Sequence, residues 1–471
     1  MDEPRDDIDT WLEERVTPLP PRPGTFQQVK KRARRRKLRQ AAIAAAGVAV
    51  VAAGAIAIPR VVLSGHVGGT PVAQSGSTTP VHRNSPNPAR PSLSGTAGPD
   101  SASATPTPAQ APSVPPNFAA SSVTFVSTST GWVIGQAGTP GHCGPPDPNI
   151  CTSMAVTNDG GHTWHGVPAP VTGAPDGATG VSQVRSLDGA SGWAFGPQLY
   201  ATHDSGQTWT RIPTHGMRVT GLETVNGVAF AIWARCAGTG ADFAAGCTSF
   251  SLYSSPAGQD SWTPVAGATG LSGPSGAPAS AQLVLGGGRG YLLAPDGKLI
   301  SGPVTSPARW RPVTTPQGTP VTLACAPGAA ETGGHPLQAM LASTGPGLAL
   351  LCASQGSGDR QAKTLYYSAD RGRTWSPAGA APAQGIAMSL SGTPSGPVMV
   401  ATSDGIDVST NAPGNGTVGW RTARGAGAPG GYSYVGMTTS AQGVAVPANV
   451  GLDAVWFTYD GGAHWQESPV R

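Results

Sequence analysis

The sequence predicts an all-β fold, a seven-bladed β-propeller over residues 117–471, preceded by one transmembrane helix and a disordered linker. Two observations predict the propeller. A short turn motif ending in tryptophan recurs through these residues, and short alternating or apolar runs separated by turn residues lie between its copies. A third observation, an uncharged apolar stretch behind a dense basic run, predicts the helix.

Four copies of the motif Ser/Thr-x-Asp-x-Gly-x-x-Trp organise the chain. Asp and Ser/Thr side chains cap backbone N–H groups inside turns, and Gly adopts positive φ at no steric cost. The Trp begins the next strand and supplies apolar area for packing. We therefore expect the motif to scaffold turns rather than to contact a ligand. The residues at its defining positions are Thr157, Asp159, Gly161 and Trp164; Thr202, Asp204, Gly206 and Trp209; Ser368, Asp370, Gly372 and Trp375; and Thr458, Asp460, Gly462 and Trp465.

Three weaker copies raise the number of units to seven. One ends at Trp262 with one extra residue, one ends at Trp310, and one runs from Ser409 to Trp420 without the Asp. The seven tryptophans follow one another at roughly 45 to 65 residues, close to the length of one four-stranded blade. No stretch of 117–471 has convincing helical periodicity, so the period predicts seven blades.

The motif resembles the Asp-box, or BNR, repeat of sialidases, sortilin-type receptors and photosystem II assembly factors, all of them β-propellers. The resemblance covers roughly residues 117–471. It implies that the boxes lie in the outer hairpin turn of each blade, on the face away from the active or binding site. It does not imply photosynthesis, because one fold hosts many functions.

The N-terminal part of the chain predicts a membrane anchor. Residues 1–40 form a predicted cytoplasmic leader that ends in the basic run Lys30–Arg39, and the predicted transmembrane helix, 41–63, contains the uncharged stretch Ala41–Ile58. That stretch is near the lower limit for spanning a bilayer. Basic residues before the span favour a cytoplasmic N-terminus and an external propeller. A cleaved signal peptide is the alternative, since Ala55-Ile-Ala57 has the small-x-small pattern of a cleavage site.

Composition separates the linker from the propeller. Residues 64–116 are rich in Pro, Ser, Thr, Gly and Ala, which predicts a disordered linker. The formal net charge of +4 comes from the residues before the propeller, whereas 117–471 is close to neutral. Beside an apolar span, topology and anionic lipid explain a basic run, and a neutral propeller lacks the electrostatic footprint of DNA or RNA binding. We expect no nucleic-acid partner.

All six cysteines lie in the propeller as near neighbours along the chain. Their spacing favours three local disulfides, which fits an oxidising compartment. The expected pairs are Cys143 with Cys151, Cys236 with Cys247, and Cys325 with Cys352. The first two lie between the second and third strands of their blades, at the face expected to be opposite the boxes. Two interpretations stay open, namely stapling of long insertions and shaping of a binding site.

Residues for catalysis are not recognisable. Sialidase chemistry needs an arginine cluster, an acid, and a Tyr nucleophile with a Glu partner. Arg211-Ile-Pro213 matches the Arg-Ile-Pro motif of sialidases but follows the second box, whereas theirs precedes the first. The repeat spacing places none of the glutamates Glu223, Glu331 and Glu467 near a tyrosine. Cys-x-x-Cys pairs, nucleophile elbows and phosphate-binding loops are missing from the sequence. The sequence thus predicts no enzyme, no cofactor and no metal site.

The predicted function is that of a membrane-anchored, extracytoplasmic, non-catalytic module for binding or assembly. Its partner would be a protein or glycan at the propeller face opposite the boxes. Two alternatives stay open. Trp11–Arg15 and Pro20–Phe26 resemble the N-termini of actinobacterial membrane proteins encoded beside sigma factors, which implies a sensor with a cytoplasmic protein contact at Thr10–Val16. The other alternative is a sialidase-like glycoside hydrolase.

Overall fold

The computed structural model describes residues 113–137, 151–173, 180–236, 247–273, 280–305, 309–323, 325, 338–345, 347–354 and 356–471. These residues form seven sheets of four antiparallel strands, so the prediction of an all-β, seven-bladed propeller is confirmed. The predicted leader, transmembrane helix and all but the last residues of the linker lie outside the described residues and stay predictions. Within the described ranges, no helix is both long and apolar enough to cross a membrane.

Each blade consists of four strands that follow one another in sequence. Blades 1 to 4 consist of β1 (Ala119–Phe125), β2 (Gly131–Ala137), β3 (Cys151–Thr157) and β4 (His165–Val167); β5 (Gln183–Ser186), β6 (Gly192–Phe195), β7 (Leu199–Thr202) and β8 (Thr210–Ile212); β9 (Arg218–Val225), β10 (Val228–Cys236), β11 (Cys247–Pro256) and β12 (Thr263–Pro264); and β13 (Gln282–Gly286), β14 (Arg289–Leu293), β15 (Leu299–Pro303) and β16 (Arg311–Pro312). Blades 5 to 7 consist of β17 (Gln338–Ser343), β18 (Leu348–Ala353), β19 (Lys363–Ser368) and β20 (Ser376–Ala381); β21 (Ala387–Gly392), β22 (Val398–Thr402), β23 (Ile406–Ser409) and β24 (Trp420–Thr422); and β25 (Tyr432–Met437), β26 (Gly443–Pro447), β27 (Ala454–Thr458) and β28 (Gln466–Pro469). A short 3-10 helix, η1 (Pro413–Asn415), lies between β23 and β24.

Turn residues explain where several strands end. Asn226 and Gly227 join β9 to β10 with φ values of 50° and 77°, and Gly287 and Gly288 join β13 to β14 with 60° and 74°. Positive φ at both central residues defines the tight hairpin turn whose twist matches that of the strands. These pairs therefore fold each chain segment directly back onto the preceding strand.

Apolar side chains between neighbouring blades form the core. Trp132 of blade 1 packs with Val184 of blade 2, and Trp310 of blade 4 packs with Phe230 of blade 3. Trp310 lies across β14 and β15, where a Cβ on Gly302 would overlap its indole ring. Glycine is thus required there, and each blade is stabilised chiefly by its neighbours.

The first strands of successive blades from blade 1 to blade 7 contact one another near the ring axis, and β1 contacts β26 and β27 of blade 7. The inner edge of each first strand has no further strand to pair with, and side chains of adjacent blades bind several of its backbone groups. The Gln282 amide accepts from Leu341 N–H at 2.9 Å and donates to the Ala339 carbonyl. Ser389 Oγ accepts from Val435 N–H at 3.5 Å in the same manner. These bonds satisfy backbone groups that would otherwise be buried unpaired.

The two faces of the ring differ in what they carry. The box turns lie at the same end as the turns between first and second strands, since Gly160 N–H donates to Ser129 O at 2.8 Å and Ser205 N–H donates to Ala190 O at 3.0 Å. We call this end the box face. The connections between second and third strands, and those between successive blades, lie at the opposite end, the box-distal face.

Candidate functional site

The four Asp boxes share one hydrogen-bond pattern. In blade 1, Thr157 Oγ1 donates to Asp159 Oδ1 at 2.8 Å and accepts from Gly161 N–H at 2.9 Å. Asp159 also accepts from Thr163 N–H at 2.9 Å and from Thr163 Oγ1 at 2.6 Å. The boxes centred on Asp204 and Asp370 repeat these bonds. In the box of Asp460, His464 replaces the Thr, with its N–H donating to Asp460 Oδ1 at 2.9 Å and its Nδ1 2.6 Å from Oδ2.

These bonds shift the pKa values of the box aspartates. The Thr208 hydroxyl and N–H and the Thr202 hydroxyl together lower the pKa of Asp204 to about 2. Burial works against ionisation of Asp460, but donors from its own turn, chiefly His464, outweigh it and lower the pKa to about 2. The carboxylate oxygens of the boxes are thus bonded within their own turns.

The box tryptophans pack inward from these turns. Trp375 Nε1 donates to Gly372 O at 3.0 Å and Trp465 Nε1 donates to Gly462 O at 3.2 Å, within their own boxes. Trp209 Nε1 instead donates to Pro168 O of blade 1 at 2.9 Å. Trp164 is 4% exposed and lies in the apolar cluster that blade 1 shares with blade 7. The tryptophans thus join blades to one another.

One degenerate box keeps a side-chain cap on its turn, whereas an aspartate of another contacts the neighbouring blade. In blade 6, Asn411 replaces the Asp, and its Oδ1 accepts from Gly419 N–H at 3.0 Å. In blade 3, Asp260 accepts from Trp193 Nε1 at 3.1 Å and contacts His203 Nε2 at 2.9 Å, both in blade 2. Asp260, which stands outside the motif's Asp position, thus links blades 2 and 3.

Disulfides join cysteines at the box-distal face. Cys236 and Cys247 are bonded where β10 ends and β11 begins, and Cys325, in the connection between blades 4 and 5, is bonded to Cys352 of β18. The predicted bond to Cys143 lies outside the described residues. The bonds thus fasten connections at one face of the ring.

Connection length separates the two faces further. Box-face connections are short in every blade, η1 being an insertion in one of them. Four box-distal connections are longer than any of these, namely 138–150, 168–182, 265–281 and 313–337. Long connections on a rigid scaffold are where binding and catalytic residues concentrate. The box-distal face is therefore the candidate functional site.

A buried polar cluster, which we call the central cluster, lies on the first strands of four blades. Arg185 Nε donates to Glu223 Oε1 at 3.1 Å, and its Nη1 donates to Ser122 Oγ at 3.3 Å. Tyr434 of blade 7 lies close enough for both charges to act on its hydroxyl, since burial raises its pKa, the Arg185 charge lowers it and the Glu223 charge raises it. The cluster thus joins four blades.

The repeat spacing places no glutamate near a tyrosine, but in the central cluster the charge of Glu223 acts on Tyr434. Ring closure places Glu223 and Tyr434, on blades 3 and 7, in one cluster. A substrate does not reach them in this state, because the Arg185 and Glu223 side chains are 5% and 8% exposed and Tyr434 is 3% exposed. The other residues considered for catalysis lie elsewhere. Arg211 and Glu467 are exposed on the outer strands β8 and β28, and Glu331 lies outside the described residues.

A second buried polar cluster lies between blades 5 and 6 at the box-distal end. Lys363 Nζ donates to Gln384 O at 2.9 Å and to Gly385 O at 2.6 Å. Burial lowers the pKa of Lys363 and raises that of Asp407, whose charge acts on the lysine. Lys363 thereby fastens the connection 382–386 to blade 5. A search for metal-ligand clusters among the described residues finds none.

Comparison with known proteins supports the repeat and the fold. A family model described as BNR/Asp-box repeat matches residues 366–377, which contain the box of blade 5. No curated protein matches the sequence. The chain therefore carries Asp-box repeats on a seven-bladed propeller.

Three similar solved structures illustrate the range of propellers. The GH74 enzyme of Niastella koreensis is 12% identical with a TM-score of 0.41, covering 74% of this chain and 59% of its own. YCF48 bound to D1 peptide is 16% identical with a TM-score of 0.33, covering 77% and 88%. PorZ, a surface component of the type-IX secretion system of Porphyromonas gingivalis, is 12% identical with a TM-score of 0.44, covering 76% and 39%. This chain thus spans well under two thirds of the length of the first and third.

These structures correct the prediction that the chain is not an enzyme. A glycoside hydrolase, a polysaccharide lyase and a gluconolactonase are among the similar propellers. Identities of 12% to 13% bear on the fold alone, so they assign no reaction to this chain.

Proposed function

We propose that the protein is a binding module that holds an extended polymer, polypeptide or glycan, on the box-distal face of its propeller. The observation that carries this proposal is the asymmetry of the two faces. Long connections and both described disulfides belong to the box-distal face, whereas the box face has short turns whose carboxylates are bonded within the turn. A rigid ring that carries long connections at one end is suited to recognition there.

The anchor is part of the proposal. The basic run Lys30–Arg39 followed by the apolar stretch Ala41–Ile58 supports a helix over 41–63 with a cytoplasmic N-terminus. The linker would then hold the propeller on the outer side of the cell membrane, where disulfides form. Protease added to intact spheroplasts should remove the propeller and leave a short N-terminal fragment. A chain protected over its whole length would refute the anchor.

Shortening one box-distal connection tests the binding face. The variant replaces 237–246 by Gly-Ser-Gly and carries Cys236→Ser and Cys247→Ser. The matched control shortens a box-face connection by removing Pro413–Asn415. Both full-length chains, purified in detergent and compared for thermal stability, are offered to immobilised envelope polysaccharides and to a peptide array.

We expect the box-distal variant to lose at least about tenfold in affinity, a loss typical of removing an interface segment, while the control binds like the unaltered chain. Equal binding by both variants would place recognition elsewhere. The same preparations are assayed for cleavage of the bound polysaccharide. Turnover that is lost with the 237–246 replacement would make this face an active site rather than a holding site.

A further inference from the structure

One interface between blades lacks a connecting chain. Blades 1 to 6 each continue into the next blade after their fourth strand, but blade 7 ends at β28, and its other neighbour in the ring is blade 1. Every sheet of the described residues contains four consecutive strands, so these two blades exchange no strand. We call the interface between blades 7 and 1 the seam.

At the box face, aromatic packing and side-chain hydrogen bonds hold the seam. Phe125 of blade 1 meets Phe457 of blade 7 edge-on, with ring centroids 5.5 Å apart. Gln442 Nε2 of blade 7 donates to Thr128 O of blade 1 at 2.8 Å. These contacts are non-covalent, and no connection leads from blade 7 to blade 1, whereas a connection joins the two blades at each of the six other interfaces.

At the box-distal face, the segment before β1 fills the seam. We call residues 113–118 the strap. Val114 and Phe118 are 8% and 0% exposed, and both lie in an apolar cluster with Val455 and Val470 of blade 7. Asn117 has a φ of 57°, a left-handed conformation that turns the strap toward β1. The strap therefore contributes apolar side chains to the seam from a segment outside any sheet.

The strap occupies the place that connecting segments occupy elsewhere in the ring. Val181, before β5, is buried between blades 1 and 2, and Ala281, before β13, is buried between blades 3 and 4. Those segments are covalently joined to the preceding blade. The strap is joined only to blade 1 and to the chain on its N-terminal side. It can therefore leave the seam without pulling on the chain of blade 7.

We propose that the strap is a latch that closes the propeller ring at the seam. When it leaves, blades 1 and 7 separate and each keeps a neighbour on one side only, which makes them the first blades to open. Because Ser113 continues directly into the preceding residues, a pull on the chain N-terminal to the propeller acts first on this latch. The proposal stands independently of which ligand the propeller binds.

Hydrogen exchange of the full-length, unaltered protein tests the order of opening. In increasing urea below the unfolding midpoint, the amides of β1–β4 and β25–β28 should become exchangeable before those of β13–β16 in blade 4. Such partial openings appear as groups of amides that exchange together. Exchange of all blades at one urea concentration, or of blade 4 first, would overturn the proposal.

A matched pair of substitutions tests the strap itself. Phe118→Ala removes a fully buried ring from the seam, and Phe230→Ala removes an equally buried ring from the chain-linked interface of blades 3 and 4. Phe118→Ala should speed exchange in blades 1 and 7 by about tenfold or more while blades 3 to 5 keep their protection. Phe230→Ala should act on blades 3 and 4. Should Phe118→Ala fail to fold, Phe118→Leu gives the same comparison with a smaller loss of volume. Unchanged protection of blade 7 in the strap variant would refute the latch.

Discussion

Arg185 donates to Glu223 at 3.1 Å across the interface of blades 2 and 3, with both side chains less than a tenth exposed. The pair lies beside Tyr434 of blade 7, which places charges from different blades in one buried cluster. Burial of either charge without the other is costly. The pair therefore holds the ring together only as long as both partners are present.

Removing one charge of the pair should destabilise the propeller strongly. We expect Glu223→Gln to lower the free energy of unfolding by about 3–5 kcal/mol, since Arg185 stays buried without a counter-charge. Urea unfolding followed by tryptophan fluorescence measures the change. As a control, Lys298→Met removes a partner of the exposed pair with Asp296, and we expect no measurable change. A Glu223→Gln protein as stable as the unaltered one would refute this account of the cluster.

The boxes should contribute to stability and not to binding. Asp370→Ala leaves the Thr374 and Ser368 donors of its turn without an acceptor, at a cost of about 1–2 kcal/mol, as for a lost turn or helix cap. Ligand affinity of the folded fraction should be unchanged. Loss of binding at unaltered stability would instead assign the box a ligand.

Acid should weaken the propeller through its box aspartates. The pKa values of Asp204 and Asp460 are lowered to about 2 in the folded protein, below the ordinary value of 3.8. A carboxylate whose pKa is lowered by folding contributes its full stabilisation of the fold at any pH above its unfolded pKa. This contribution is lost as the pH falls through its folded pKa. The free energy of unfolding should therefore fall between about pH 4 and about pH 2. Asp204→Asn should reduce the fall of the unfolding free energy with pH. Asp453→Asn, at an exposed site outside the boxes, should leave that fall unchanged.

The two described disulfides should differ in how much each stabilises the fold. Cys325 and Cys352 are 27 residues apart in sequence, against 11 for Cys236 and Cys247. Closing the longer loop removes more entropy from the unfolded chain. The double variant Cys325→Ser with Cys352→Ser should therefore lower the free energy of unfolding by about 3 kcal/mol, and Cys236→Ser with Cys247→Ser should lower it by less. Non-reducing peptide mapping of the exported protein should show both bonds and a third between Cys143 and Cys151. Crossed pairs would contradict local stapling.

The sequence was sufficient to predict the propeller, because a box or a degenerate copy of it recurs about once per blade length along the chain. The disulfides Cys236–Cys247 and Cys325–Cys352 could be predicted from spacing because the two cysteines of each bond are near neighbours along the chain. Asn411 was missed because the search required an Asp, although a side-chain amide oxygen can accept the same turn N–H group.

Interactions between distant blades could not be predicted. Glu223 and Tyr434 are far apart in sequence and occupy no repeated position of their blades. Only closure of the ring brings them together, and the repeat interval carries no information about which first-strand side chains meet near the axis. The packing of the strap could not be predicted either, since Val114 lies in a segment whose composition predicts a disordered linker.

The central claim is that the ligand occupies the box-distal face, and a hydrogen-exchange footprint of the bound full-length protein tests it most directly. Bound polymer should slow exchange in box-distal connections such as 213–217, 382–386 and 448–453, and leave the box turns 158–164 and 369–375 unchanged. Protection confined to the box turns, with the box-distal connections unaffected, would contradict the account.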